Sequence, residues 1–80
     1  MATIHFSPSL AQYTDGVESL SVDAPRVREL MQVVIERFPA LESPLGIMAV
    51  AVDGEVHQHP DYLKLSSESE IHLVPRIAGG

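Results

Sequence analysis

The chain has 80 residues and a formal net charge of −6, from eleven acidic residues against five Lys and Arg, with 45% hydrophobic residues and no cysteine. These figures describe one domain with one small core, and they exclude wholesale disorder. They also exclude a basic face for nucleic acid, disulfides, thiolate metal sites and a cysteine nucleophile.

A cysteine-free chain fits a reducing compartment. Met1–Phe6 lacks the charged region and long apolar run of a secretory signal, and the longest apolar run, Ile47–Val52, is too short to span a bilayer. A cytoplasmic protein with no membrane partner is therefore expected. The acidic balance favours a partner with a basic docking surface.

Thr3 to Ser7 alternates, with Ile4 and Phe6 on one side, which predicts a half-buried first strand ended by Pro8. A loop then runs to the turn signal Asp15-Gly16. Glu18–Val22 alternates again, with Leu20 and Val22 inward, as the second strand of a hairpin. Asp23-Ala24-Pro25 reads as a helix start, with Asp23 as candidate cap and Pro25 in the first turn. Val27, Leu30, Met31, Val34, Ile35 and Phe38 form one apolar helical stripe, and Pro39 stops it. Glu29 and Glu36 sit among arginines on the wet face, as a solvated surface rather than a catalytic pair.

Residues 40–45 read as a loop. Gly46–Val52 reads as a third strand, apolar on both faces, and Asp53-Gly54 as a tight hairpin turn into Glu55–Gln58. Residues 60–65 predict a helical turn tucking Leu63 and Leu65 under the sheet. Glu70–Val74 is the last strand, and Pro75, with no N–H for a ladder, is expected to end regular pairing.

Beyond Pro75 the side chains shrink from Ile77 to Ala78 to Gly79 and Gly80. Two glycines contribute no packing, but a slim tail can enter a narrow cleft and leaves its carbonyl unshielded. With glycine at about 7% of residues, a Gly-Gly ending occurs by chance in roughly one chain in 200. The pair gains meaning only from the domain it follows.

The element order is strand, strand, helix, strand, strand, strand, and the amphipathic helix must bury its stripe on a sheet. Placing the last strand parallel to the first makes it central and sends the tail off one end. The expected fold class is therefore α+β, a β-grasp (ubiquitin-like) domain with a mixed sheet of four to five strands on one main helix. The domain covers residues 1–75, with residues 76–80 as a flexible tail.

With these elements the chain resembles the MoaD/ThiS-type sulfur carriers, typified by the molybdopterin synthase small subunit and the thiamine sulfur carrier. The resemblance is carried by Ile4–Phe6, Val27-Arg28-Glu29-Leu30, Val50–Glu55 and above all Glu70–Gly80. The long loop Ser7–Gly16 is more similar to the molybdopterin branch. Departures are Glu68-Ser69, where the family often has Gly-Asp, and Arg76, where it often has a second proline.

The resemblance implies that an E1-like adenylyltransferase activates the Gly80 carboxylate with ATP and Mg²⁺, which belong to that partner. A persulfide donor then supplies sulfur, and the resulting thiocarboxylate serves a downstream sulfur-accepting synthase, of the molybdopterin type first. The chain would be a carrier and not an enzyme, with no cofactor of its own. Gly79 and Ala78 would thread the activating cleft, and Arg76 would meet its acidic lip or simply keep the tail soluble. Docking would use His5, His72 and Val74 on the open sheet face, joined by one phase of the third strand. No third ligand accompanies His5 and His72, or His57 and His59, so no metal site is expected. The alternatives are a ubiquitin-like modifier joined to lysines through Gly80, and a plain interaction module.

Overall fold

The computed structural model describes residues 1–45, 48–57 and 60–75. The sheet contains β1 (Ala2–His5), β2 (Ser19–Val22), β3 (Met48–Val52), β4 (Glu55–His57) and β5 (Glu70–Pro75), in the order β2-β1-β5-β3-β4. The helices are α1 (Val27–Arg37) and the single turn α2 (Glu42–Leu45). β1 and β2 are antiparallel, β1 and β5 parallel, and β3 is antiparallel to both β4 and β5. This is the expected mixed sheet, with the last strand at its centre.

The core follows from period-two and period-3.6 patterning meeting across one interface. Ala2 and Ile4 of β1, Ile71 and Leu73 of β5, and Val50 and Val52 of β3 pack with Val27, Leu30 and Val34 of α1. Phe6 and Phe38 close one part of the core edge to face, with ring centroids 5.8 Å apart. Leu10 and Leu41, both buried, come from segments outside the strands and α1. Burial of such side chains contributes about 1.5–3 kcal/mol each, the main force holding α1 to the sheet.

The hairpin between β3 and β4 turns at Asp53 (φ 50°) and Gly54 (φ 88°), left-handed values that the Asp-Gly pair accommodates. Asp53 also ties the hairpin to β5. Its N–H donates to the Glu70 carbonyl at 2.8 Å, and its Oδ1 accepts from the Glu70 N–H at 2.9 Å. Ser69 closes the turn before β5 by accepting from the Ser66 N–H through Oγ at 2.9 Å, while its carbonyl accepts from the Thr3 N–H at 3.0 Å. The departure at Ser69 thus leaves a satisfied turn that sets β5 beside β1.

Three local expectations are corrected. Asp23 is not the helix cap and Pro25 is not in the first turn. α1 starts at Val27 after an extended Arg26, with no side-chain cap. Pairing across the chain explains this: the Leu65 N–H donates to the Pro25 carbonyl at 2.9 Å, and the Val27 N–H donates to the Leu63 carbonyl at 3.0 Å. A long-range partner satisfies the first helical N–H, so a local cap is not needed.

The stretch after Pro39 is helical rather than a loop, a 3-10 turn at Pro39–Leu41 followed by α2, because Leu41 is drawn into the core. Pro75 does not end the pairing. β5 runs through it, and it lies opposite Met48 of β3. The β1 register covers only Glu70–His72, so the end of β5 runs beside β3 as an edge, where a missing N–H is tolerated.

Leu30→Ala should cost about 2–5 kcal/mol in urea unfolding, a large share of the stability of a domain this size. Val56→Ser, at a side chain 62% exposed, should change it by less than about 0.5 kcal/mol. Equal losses in the two variants would mean that the helix–sheet interface is not the core.

Candidate functional site: the open face of the central strands

Residues directly opposite in a sheet share a face, so the register fixes the surface that α1 leaves uncovered. Ile4 lies opposite Ile71, and Leu73 opposite Val50, all inward. The outward set is Thr3 and His5 of β1, Glu70, His72 and Val74 of β5, Ala49 and Ala51 of β3, and Val56 of β4. Of the two possible phases of β3, it is Ala49 and Ala51 that share the open face. Ile47 lies outside the described residues.

His5 and His72 are direct cross-strand partners, and their rings stack with centroids 4.5 Å apart and planes 13° from parallel. His5 Nε2 lies 3.0 Å from Glu70 Oε1, with the two side chains 33% and 62% exposed. Ala51 opposite His72 and Ala49 opposite Val74 are small, so the imidazoles and Val74 stand above their β3 neighbours. The face therefore combines a polar trio with the apolar Val56, Val74 and Ala49, while Ala51 lies buried beneath its neighbours. Such a mixed surface suits a partner that must bind and leave.

The structure brings together His5, His72 and Val74, three of the expected docking residues. Arg76, Ala78, Gly79 and Gly80 lie outside the described residues, as does His59, while His57 is on β4. Sequence reasoning missed Glu70 and Val56. Glu70-Ile71-His72 does carry a signal for the first: with Ile71 inward, Glu70 and His72 must share the outer face. The parallel register then sets His5 directly across from His72.

A parallel β1–β5 pair at the centre of a mixed sheet, backed by one helix, defines a β-grasp protein of the ubiquitin-like class. No protein-family model matches the chain. The chain is, however, similar to the molybdopterin synthase sulfur carrier subunit of Caenorhabditis briggsae, 35% identical over 52 residues that cover 65% of this chain and 62% of the relative. It is 29% identical to the Caenorhabditis elegans protein of the same name, over 81% of each. The match thus spans less than two thirds of the first relative's length and about four fifths of the second's.

Among solved structures, a chain of the Amycolatopsis orientalis BexX/CysO complex superposes with a TM-score of 0.84 at 19% identity, covering 100% of both chains. Small archaeal modifier protein 1 from Methanosarcina acetivorans gives a TM-score of 0.83 at 17% identity, over 99% of this chain and 95% of that one. These two likenesses establish the fold. The sequence relatives bear out the resemblance to the ubiquitin-like sulfur carriers.

The His5–Glu70 pair is exposed, and exposed pairs contribute little to stability. A double-mutant cycle with His5→Asn and Glu70→Gln should give a coupling below about 1 kcal/mol in urea unfolding. A coupling above about 2 kcal/mol would make the trio part of the scaffold rather than a free surface.

Proposed function

We propose that this chain is a sulfur carrier that holds sulfur as a thiocarboxylate on Gly80 for delivery to a biosynthetic enzyme, of molybdopterin type first. The observation that carries the reading is the similarity to two molybdopterin synthase sulfur carrier subunits. It is supported by a central strand that leads directly towards residues 76–80 and bears an uncovered face.

The chemistry demanded of the tail is simple. A carboxylate is a poor electrophile, so an E1-like adenylyltransferase would use ATP and Mg²⁺ to join it to AMP, releasing pyrophosphate. The terminal sulfur of a persulfide donor then attacks the acyl carbon and expels AMP. A thiol cleaves the resulting sulfur–sulfur bond, taking the donor's sulfur into a disulfide and leaving the thiocarboxylate on Gly80. That sulfur is the nucleophile passed to the downstream synthase. All the reactive groups except the carboxylate come from partners, in accord with a chain that has no cysteine. Gly79 and Ala78 would thread the activating cleft, with Arg76 at its lip.

The open face would dock these partners in turn, through Val74, His72 and His5. The same tail could instead be joined to lysine amines, as a protein modifier. The likeness to the archaeal modifier is one of fold, so that reading stands second.

Deleting Gly80 should abolish ATP–pyrophosphate exchange with the cognate activating enzyme and leave the melting temperature unchanged. A truncated chain still adenylated at the full rate would refute the proposal. Val74→Asp should weaken binding to that enzyme by about tenfold or more while the domain stays folded, as expected for a desolvated apolar contact. Unchanged affinity would move the docking surface elsewhere.

A further inference from the structure

The geometry points to a zinc-type divalent cation site on the open face, built from His5, Glu70 and His72. This inference is independent of the sulfur-carrier reading. Each residue offers one ligand atom, and the three atoms lie within 4.8 Å of one another. Two imidazoles and one carboxylate form a donor set that suits Zn²⁺, with a fourth position left open; Mg²⁺ and Ca²⁺ prefer all-oxygen sets.

The backbone supplies most of the organisation. His5 and His72 are register partners on two adjacent interior strands, and Glu70 is two residues before His72 on the same face. Their Cα positions are therefore fixed by the sheet, which is the rigid support a metal site needs. Further support lies at Glu70, where the N–H donates to Asp53 Oδ1 at 2.9 Å and the carbonyl accepts from the Asp53 N–H at 2.8 Å.

The side chains need a modest rearrangement. Ligand atoms sharing one Zn²⁺ at about 2.0–2.2 Å lie roughly 3.2–3.6 Å apart. The His5–Glu70 distance of 3.0 Å is already close to that range. His72 is exposed, so its ring can turn out of the stack and aim a nitrogen at the same point. His5 Nε2 and Glu70 Oε1 share a hydrogen bond, which the cation would replace. The open fourth position faces solvent, where a water or a partner's side chain would complete the shell.

Titration of the untagged full chain with Zn²⁺ alone, followed by amide and imidazole NMR shifts and by calorimetry, tests the site. Saturable binding of one ion is expected, with the largest shifts at His5, Glu70 and His72, and no competition from excess Mg²⁺. His5→Asn, Glu70→Gln and His72→Asn should each weaken binding by roughly tenfold or more. The double variant His57→Asn/His59→Asn should bind as the parent does. Circular dichroism confirms that each variant is folded. Glu70→Gln, at an exposed position, carries the test if His5→Asn unfolds. No saturation at millimolar Zn²⁺, binding unchanged in folded Glu70→Gln and His72→Asn, or loss of binding in the His57/His59 variant would each overturn the proposal.

Discussion

The structure depends on the parallel pairing of β1 with β5. A parallel pair cannot be made by a hairpin; the chain must leave the sheet and return. Here the return is long, and α1, α2, β3 and β4 all lie between the two partners. The pairing is held on one side by Ile4 and Ile71, which are opposite each other and fully buried beneath α1. A slip of one residue would turn Ile71 and Leu73 outward and bury His72. The cost of that exchange fixes the register, and the register fixes the surface on the other side.

From this one constraint the two faces acquire different work. Across β1, β5 and β3 the inner face is apolar and closes the core with the stripe of α1. The outer face receives whatever lies at the alternate positions: His5 from one end of the chain, Glu70, His72 and Val74 from the other. The same central strand then leads towards Arg76–Gly80. In sequence, the proposed docking residues are thus followed directly by the proposed reactive residue, Gly80.

The features legible in the sequence were those set by short-range patterning. The α1 stripe, the Asp53-Gly54 turn and the alternation of Ile71 and Leu73 each need only neighbouring residues, and each stands in the structure. What was not legible needed a partner distant in sequence. Asp23 looks like a cap because it precedes the helix, yet the Leu63 carbonyl receives the Val27 N–H. The turn α2 hides in a Ser-Pro segment because Leu41, rather than local propensity, anchors it. Pro75 extends β5 because β1 no longer flanks it there. At the candidate site, His5, His72 and Val74 could be placed on one face from alternation alone. Glu70 shares that alternation, but its approach to His5 needed the register, and Val56 required knowing that it lies across from Ala51.

The measurement that tests the central claim most directly is intact mass spectrometry of the chain with its natural C-terminus, purified from its own host without thiols or reductants. The account predicts a species heavier by the difference between one sulfur and one oxygen atom, with fragmentation placing that change at Gly80. A chain that stays unmodified even after incubation with ATP, a sulfur donor and its activating enzyme would contradict it, as would Gly80 found only in amide linkage to lysines of other proteins.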